Sequence, residues 1–221
     1  MSSTSRGGKR TEFDYYPTPD WCVQRLLEQL LLPPGHWLEP CAGDGAIIRA
    51  VNAHRAKERL APVIWDAVEI RREEEETLKK QAHTVHIADY RTTPESTGYA
   101  VAITNPPYRS AEAFLRKAMR HCDNVLMLLR LNFFGSARRH EFLSDHMPAA
   151  TYVLPNRPSF DNRGTDSIEY AWFHWIAPYT HRETVLKLLA LTPAEERCGN
   201  SPLVPSTSRS RAADKQSVLA P

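Results

Sequence analysis

A short proline-rich segment offers the clearest chemistry in the sequence. Asn105, Pro106, Pro107 and Tyr108 directly follow an apolar stretch over 99–104 that is typical of a buried strand. The prolines fix two φ angles and remove two backbone donors, and Asn105 is held extended because it precedes a proline. The side-chain oxygen of Asn105 and the carbonyl of Pro106 can each accept one N–H of a conjugated amine, turning its lone pair toward an electrophile. Tyr108 can stack on the planar group, although a plain connection with a surface tyrosine is the alternative.

A second segment, Glu39-Pro40-Cys41-Ala42-Gly43-Asp44-Gly45, joins an apolar strand to a helix. Gly43 and Gly45 permit a tight turn at which a ligand approaches the backbone closely. The turn lacks the full Gly-x-Gly-x-x-Gly fingerprint of dinucleotide-binding proteins, because Ile48 occupies the third glycine position. It also lacks the Lys-Ser/Thr pair of a P-loop. Glu39, at the carboxyl end of the strand, would repel a pyrophosphate and attract an ammonium or sulfonium group.

Two further acids end the next two predicted strands. Glu69 stands where an acid commonly binds ribose hydroxyls, and Asp89 stands where it can meet an adenine amino group. The carboxyl ends of parallel strands share one edge of a sheet, so these acids and Glu39 fit a cationic adenosyl ligand lying across that edge. The alternative is a structural glycine turn with solvated acids at the strand ends.

These segments require an α/β fold with a mainly parallel sheet. Short apolar runs alternate with amphipathic stretches, which predicts βαβ units. We predict a Rossmann-like fold with helices on both faces and seven strands, one of them antiparallel. The predicted strands span 36–40, 63–70, 85–88, 99–104, 124–131, 151–154 and 168–176. The predicted helices span 20–31, 46–55, 71–81, 110–121 and 136–146, with Asp20 and Ser110 as caps.

The 221 residues suit one domain with two tails. Residues 1–10, rich in Ser and Gly and basic, predict a flexible arm, and residues 11–191 form the domain. Residues 192–221, rich in Ser, Pro, Thr and Ala, predict a disordered tail. Lys and Arg total 28 against 26 Asp and Glu, which excludes a histone-like polycation and a wholly acidic disordered chain.

Cysteine and histidine usage predicts an intracellular protein without a metal. The four cysteines form no Cys-x-x-Cys pair, and the nine histidines show no ligand spacing. The longest apolar run, Val125 to Leu129, is far shorter than the roughly 18 residues needed to span a bilayer. Residues 1–10 lack the apolar stretch of a signal peptide. We therefore expect a cytoplasmic location and no membrane partner.

The glycine turn over 39–45, with Asn105-Pro-Pro-Tyr108 sixty residues later, resembles S-adenosylmethionine-dependent amino-methyltransferases, most of all the DNA N6-adenine methyltransferases. Tyr15-Tyr16-Pro17-Thr18-Pro19 is similar to the Tyr-x-Thr-Pro element of that family. The order of this element, the glycine turn and the Asn-Pro-Pro-Tyr segment is similar to the γ arrangement of that family. The resemblance implies a class I methyltransferase fold with S-adenosyl-L-methionine as the cofactor. The implied cofactor-binding residues are Tyr16, Thr18, Glu39, Pro40, Cys41, Gly43, Gly45, Glu69, Ile70, Asp89 and Asn105. The implied catalytic residues are Asn105, Pro106, Pro107 and Tyr108.

Target recognition departs from the γ-type restriction enzymes, which carry a large recognition domain that this chain is too short to hold. The loop over 154–166 would then read the target, with Phe160 stacking on an extruded base or, alternatively, packing the base of a hairpin. The candidate substrate-binding residues are Tyr108, Arg109, Arg157 and Phe160, with Asn156 and Arg163 as further contacts. Basic residues after the catalytic motif predict a patch that follows phosphates: Arg109, Arg116, Lys117, Arg120, Arg130, Arg138 and Arg139.

The sequence favours a nucleic-acid substrate and, within the resemblance, N6 methylation of adenine in DNA in a bacterial or phage-infected cell. Adenine in RNA is the first alternative. Glutamine N5-methylation of a protein is disfavoured because the helical domain usual before that catalytic domain is missing. A cofactor-binding subunit that needs a protein partner is the non-enzymatic alternative.

Overall fold

The computed structural model describes residues 17–160 and 168–197. The predicted arm, Tyr16 and Arg163 lie outside these residues. Eight strands form one sheet: β1 His36–Glu39, β2 Ile64–Glu69, β3 Thr84–Ile87, β4 Tyr99–Thr104, β5 Cys122–Arg130, β6 Ala150–Val153, β7 Tyr170–Ile176 and β8 Val185–Leu188. The helices are α1 Asp20–Leu27, α2 Ala46–Lys57, α3 Glu75–Leu78, α4 Ala111–Ala118, α5 His140–Asp145 and α6 Ala194–Arg197. None of the described helices is long and apolar enough to cross a membrane.

The strand order is β3-β2-β1-β4-β5-β7-β6-β8. The first five strands pair in parallel, while β7 runs antiparallel to both β5 and β6. The predicted mostly parallel sheet with one antiparallel member is therefore confirmed. The predicted count of seven strands was one too low, because β8 pairs in parallel with β6 at the edge. β8 is an edge strand in which three of the four residues are apolar and all four are exposed, so it shows no alternation of apolar and polar residues.

The core lies on both faces of the sheet because the inner strands are apolar on both sides. Along β7, Trp172 packs with α1 and α2, while Phe173 and Trp175 pack on the opposite face with α4 and α5. This is the pattern of a sheet covered by helices on both faces. Each large side chain buried in this way contributes about 1.5–3 kcal/mol of transfer free energy.

Several helix boundaries differ from the predictions. The predicted first helix extends to residue 31, but α1 ends at Leu27 and Leu31 is 77% exposed. Asp20 lies inside the first turn, and Pro19 precedes the helix without a side-chain cap. The predicted helix over 71–81 is a short 3-10 turn followed by the four residues of α3. Ser110 precedes α4 without capping it through its side chain.

The first residues of the predicted tail contact the domain. Thr192 is buried; its backbone N–H donates to Asn156 Oδ1 at 2.7 Å and its hydroxyl accepts from Arg25 Nε at 3.1 Å. Arg25 also forms an ion pair with Glu196 in α6. Residues 192–197 are thus attached to α1, and residues 198–221 lie outside the described part of the chain.

Candidate functional site

A cavity of about 640 Å³ opens at the carboxyl edge of the sheet. The ends of β1 to β4 line it, with Pro17, Thr18 and the starts of α2 and α4. It collects most of the predicted site: Thr18, Glu39, Pro40, Cys41, Gly43, Glu69, Ile70, Asp89, Asn105, Pro107, Tyr108 and Arg109. Its volume lies within the range that small-molecule sites usually have.

The glycine turn holds the start of α2 at this edge. Gly43 and Gly45 have φ angles of +57° and +83°, which residues other than glycine rarely adopt. Asp44 Oδ1 accepts the backbone N–H of Ala46 at 3.1 Å at the start of α2. Gly45 does not line the cavity: a Cβ there would lie 2.4 Å from the side-chain oxygen of Gln81. Gly45 therefore shapes the turn, while Gly43 borders the cavity directly.

Glu39 is the least satisfied acid of the site. Its residue is 1% exposed, and Oε2 has no hydrogen-bond partner among the described residues. Burial raises the pKa of Glu39 well above its usual value, and the charges of Asp44 and Glu69 add to the rise. A buried carboxylate without a partner is costly, so this position favours a cationic ligand that would compensate the charge.

Glu69 already binds two neighbours. Its Oε2 accepts the N–H of Gly43 at 2.7 Å, and its Oε1 accepts from the backbone and the Nε of Arg71 at 2.9 and 3.1 Å. A carboxylate offers about four lone pairs, so acceptor capacity remains for a hydroxyl. Glu69 thus ties β2 to the glycine turn in addition to any contact with a ligand.

Asp89 is paired as well. Its carboxylate accepts the backbone N–H of Arg91 at 2.9 Å and forms an ion pair with the same guanidinium. Hydrogen bonds from Arg91 lower the pKa of Asp89 despite partial burial. Between the two acid–arginine pairs, Ile70 is 46% exposed and gives the cavity an apolar wall. Sequence reasoning placed these acids and missed Arg71 and Arg91, although each follows its acid by two residues.

Asn105 follows β4 with its amide held between two hydroxyl groups. Asn105 Nδ2 donates to Thr18 Oγ1 at 3.2 Å, and Tyr108 donates its hydroxyl to Asn105 Oδ1 at 3.1 Å. Pro107 accepts the N–H of Ser110 at 2.9 Å, which joins the rigid turn to α4. Pro106 is buried and does not line the cavity.

Tyr108 lines the cavity and belongs to an aromatic group with Tyr170 and Phe160. The Arg130 guanidinium lies 4.8 Å from the centre of the Tyr108 ring, and its Nε donates to the Tyr170 hydroxyl at 3.0 Å. Phe160 meets the edge of Tyr170 with ring centres 5.2 Å apart. Phe160 therefore packs at the base of the hairpin and is not among the cavity-lining residues. Sequence reasoning counted Arg130 only within a general basic cluster; its place at the end of β5 was the available signal.

The remaining predicted nucleic-acid contacts are largely engaged within the protein. Arg157 forms an ion pair with Glu169 away from the cavity. Of the predicted basic patch, Lys117 is buried and donates to Tyr90 and Thr93. The ion pairs Arg116–Glu112 and Arg120–Glu95 and the contact of Arg139 with the Phe133 carbonyl hold three more members. Only Arg109 and Arg130 of the patch line the cavity, because the others lie on or just after α4 and in the 3-10 turn before α5.

Two further groups bear on the chemistry that the site can perform. Burial raises the pKa of the Cys41 thiol well above its usual value, so Cys41 is protonated and a poor nucleophile. Within the described ranges, no group of three His, Cys, Asp or Glu side chains could hold a metal ion. The arrangement offers acceptors for an amine beside a cavity suited to a cation.

No protein-family model and no curated protein sequence matches this chain. Solved structures do resemble it. The methyltransferase subunit of a type I restriction-modification system from Streptococcus thermophilus superposes with a TM-score of 0.61 at 16% identity, covering 86% of this chain and 52% of its own. A Listeria monocytogenes protein provisionally described as a class I S-adenosylmethionine-dependent methyltransferase gives 0.56 at 13% identity, covering 80% and 64%.

A Pyrococcus horikoshii protein provisionally described as an RNA methyltransferase gives a TM-score of 0.56 at 17% identity and covers 79% of this chain and 94% of its own. The chain spans about half of the length of the Streptococcus thermophilus subunit and just under two-thirds of the length of the Listeria monocytogenes protein. At these identities the likeness speaks for the fold alone. The chain has the Rossmann-like fold of class I S-adenosylmethionine-dependent methyltransferases.

Proposed function

We propose that this protein transfers a methyl group from S-adenosyl-L-methionine to the N6 amino group of adenine in DNA. One observation carries the proposal: a single cavity joins the buried, partly unpartnered carboxylate of Glu39 to the Asn105-Pro-Pro-Tyr108 turn. The first feature suits a cationic ligand, and the second suits a planar amine.

The residues present fit the adenosyl cofactor. The unpartnered Oε2 of Glu39 matches its ammonium group, the apolar wall at Ile70 matches its adenine, and Glu69 retains acceptor capacity for ribose hydroxyls. Asp89 would take the adenine amino group if Arg91 gave up its pairing. When bound, the cofactor supplies an electrophilic methyl group on a positively charged sulfur.

The protein's own part in the reaction is to orient the amine and favour its lone pair. Asn105 Oδ1 has two lone pairs, so it can keep the Tyr108 hydroxyl and accept one amine N–H as well. The Pro106 carbonyl was the second acceptor expected from the sequence, but Pro106 is buried and does not line the cavity, so the proposal relies on Asn105. Tyr108 would stack on the base, and the cavity mouth beside it lets the proton released by the methylated amine pass to solvent.

Two cations at the cavity mouth support a nucleic-acid substrate. Arg109 and Arg130 are placed to meet phosphates next to a base that has left its stack. The Streptococcus thermophilus neighbour belongs to a restriction-modification system, which supports DNA as the polymer. A partner protein can add target recognition, and the proposal does not require one.

Adenine in RNA is the second candidate. The Pyrococcus horikoshii protein described as an RNA methyltransferase is covered over 94% of its length, which makes it a domain of similar extent without large additions.

Tritium-labelled cofactor incubated with the purified chain and separate DNA, RNA and protein pools tests the proposal. We expect label in DNA, recovered as N6-methyladenine after nucleoside digestion. Label in RNA alone would favour the second candidate, and label in protein alone would overturn nucleic-acid methylation. Absence of label from every pool, with cofactor still bound, would favour a subunit that needs a partner.

A further inference from the structure

The backbone of β8 presents hydrogen-bonding groups at the outer edge of the sheet. β8 stands last in the strand order, and within the described residues it pairs with β6 alone. The N–H of Val185 donates to the carbonyl of Ala149 at 3.1 Å, and the N–H of Leu189 donates to that of Val153 at 2.9 Å. Successive residues of a strand turn their N–H and C=O groups to opposite sides, so those of Leu186 and Leu188 point away from β6.

The side chains of β8 are mostly apolar and remain in contact with solvent. Val185 is 58% exposed, Leu186 60% and Leu188 73%. Lys187 is the only charged residue of the strand. Edge strands of soluble proteins are usually protected by charges, prolines or bulges, and an exposed apolar edge is a pairing site for another strand. The outer edge of β8 therefore suits a further β-strand.

Symmetry favours a second copy of this chain as that strand. A two-fold antiparallel pair centred on Leu186 brings the outward-facing groups of Leu186 against those of its own copy. The same pairing sets Leu188 of one copy opposite Thr184 of the other, whereas a pair centred on Lys187 would oppose two like charges. The apolar centre of β8 is thus complementary to itself.

The charges beside that centre are complementary as well. In the pair centred on Leu186, Lys187 lies opposite Val185 of the second copy, with Glu183 of that copy as its diagonal neighbour. Diagonal neighbours on one face of a sheet are about 7–8 Å apart, a distance that long side chains can bridge. Glu183 and Lys187 are both exposed, and the Lys187 ammonium lies on the sheet face of Tyr152, 5.4 Å from the ring centre. The two-fold axis repeats this opposite-charge pair on both sides.

We propose that two copies of this chain associate through β8 and join their sheets edge to edge around a two-fold axis. The ends of β1 to β4 line the cavity, and β5, β7 and β6 separate these strands from β8. The pairing therefore leaves the cavity open in both copies and does not depend on the proposed methyl transfer. A short strand buries less surface than a standard interface, so we expect a reversible dimer with a dissociation constant of about 10 μM.

Analytical ultracentrifugation of the full chain from about 1 to 100 μM, on either side of that constant, tests the proposal. Leu186→Arg places like charges opposite each other at the two-fold axis and should weaken the dimer by about tenfold or more. Leu31→Arg is the matched control, because Leu31 is 77% exposed and lies outside β8, and it should leave the dimer unchanged. Thermal melts check that both variants fold. A wild-type chain that stays monomeric over this range, or equal weakening by both substitutions, would overturn the proposal.

A charge exchange tests the identity of the occupant without changing the apolar centre. Glu183→Lys and Lys187→Glu should each weaken the dimer by about two- to fivefold, and the double variant should recover wild-type association. A contact with an unrelated protein would not give this recovery, so its absence contradicts pairing between two copies. A full chain that stays monomeric while a chain ending at Arg197 dimerises would assign the edge to residues 198–221, and the proposal would then be wrong.

Discussion

The two halves of the parallel sheet each bury an acidic side chain, and the two carboxyl groups differ in their hydrogen bonding. At the carboxyl edge, Glu39 is 1% exposed and its Oε2 has no partner in the described chain. Toward the amino edge, Asp66 is 7% exposed and both of its oxygens are bound. His36 Nε2 lies 3.0 Å from Asp66 Oδ1, and Tyr99 donates its hydroxyl to Asp66 Oδ2 at 2.6 Å.

The pKa values record the difference. Burial raises the pKa of Glu39, and the nearby acids at the same edge raise it further. Burial alone would also raise the pKa of Asp66, but hydrogen bonds from Tyr99, His36 and Thr84 outweigh it and lower that pKa. An acid that the fold satisfies contributes to stability, whereas an acid left unsatisfied is free to bind a ligand. On this comparison we expect Asp66 to stabilise the fold and Glu39 to bind the proposed cationic ligand.

The largest expected effect concerns the carboxyl edge. Asn105→Ala should lower methyl transfer by about two to three orders of magnitude, as removal of one preorganised transition-state partner does in other enzymes. Cofactor affinity and melting temperature should stay close to wild type, because the Asn105 amide bonds to the hydroxyls of Thr18 and Tyr108 at the cavity rather than within the apolar core. Stopped-flow or quench-flow methylation assays with calorimetry measure these quantities. Near-wild-type turnover would contradict the catalytic role.

Glu39→Gln should separate binding from folding. The substitution keeps shape and removes the charge that a cationic ligand needs, so cofactor affinity should fall by about 10- to 100-fold, the value of one charge-assisted hydrogen bond. The free protein should unfold at the same temperature or higher, since a neutral amide at this position avoids the cost of a buried charge. Calorimetric titration and thermal melts check both expectations. An unchanged affinity would remove Glu39 from the ligand site.

Asp66→Asn is the matched change in the other half. It should lower the free energy of unfolding by about 1–3 kcal/mol through the weaker bonds to His36 and Tyr99, with cofactor affinity unchanged. The folded pKa of Asp66 is lowered, so its stabilisation is present above about pH 4 and is lost as pH falls through the folded pKa. Urea melts at several pH values should show that loss in wild type and not in the variant. A larger effect on ligand binding than on unfolding would reverse the comparison.

The sequence predicted the acids of the carboxyl edge and assigned no role to Asp66. The mainly parallel sheet and the acids at three successive strand ends follow from apolar runs and from the rule that carboxyl ends of parallel strands share one edge. It missed β8 because this four-residue edge segment, Val185–Leu188, shows no alternation of apolar and polar residues. It missed Arg71 and Arg91 as partners of Glu69 and Asp89 because short turns, rather than periodic patterns, bring them together.

The substrate residues were the least predictable part of the site. Phe160 was expected to stack on the target base or, alternatively, to pack the base of a hairpin. It packs against Tyr170 and does not line the cavity, and its contact with a target base stays a prediction. Lys117 counted as a surface cation, but α4 turns its ammonium inward to the carbonyls of Tyr90 and Thr93. Arg130 lines the cavity because of its position at the end of β5, which its charge alone does not indicate.

A pH experiment sharpens the contrast between the two acids. The pKa of Glu39 is raised in the free protein, and a bound cation would lower it, so binding should release a proton. Cofactor affinity should therefore rise as pH increases up to the free-protein pKa of Glu39, by at most about tenfold per pH unit for one proton. Calorimetry in buffers of different ionisation enthalpy measures the release. Glu39→Gln should abolish it, while Asp66→Asn should leave it intact.

The smallest expected effect on cofactor affinity concerns Arg91, which forms an ion pair with Asp89. The Arg91–Asp89 ion pair is partly exposed, with 50% and 23% of the side chains accessible, so breaking it should change stability little. Because the proposed contact of Asp89 with the adenine amino group must replace Arg91, Arg91→Gln should strengthen cofactor binding by about two- to fivefold, within the range of an exposed pair. Arg116→Gln, which breaks an exposed pair with Glu112 outside the cavity, is the matched control and should leave affinity unchanged. Weaker binding in Arg91→Gln would mean that Arg91 itself contacts the ligand. Asp89 would then hold Arg91 in place and would not bind the adenine amino group.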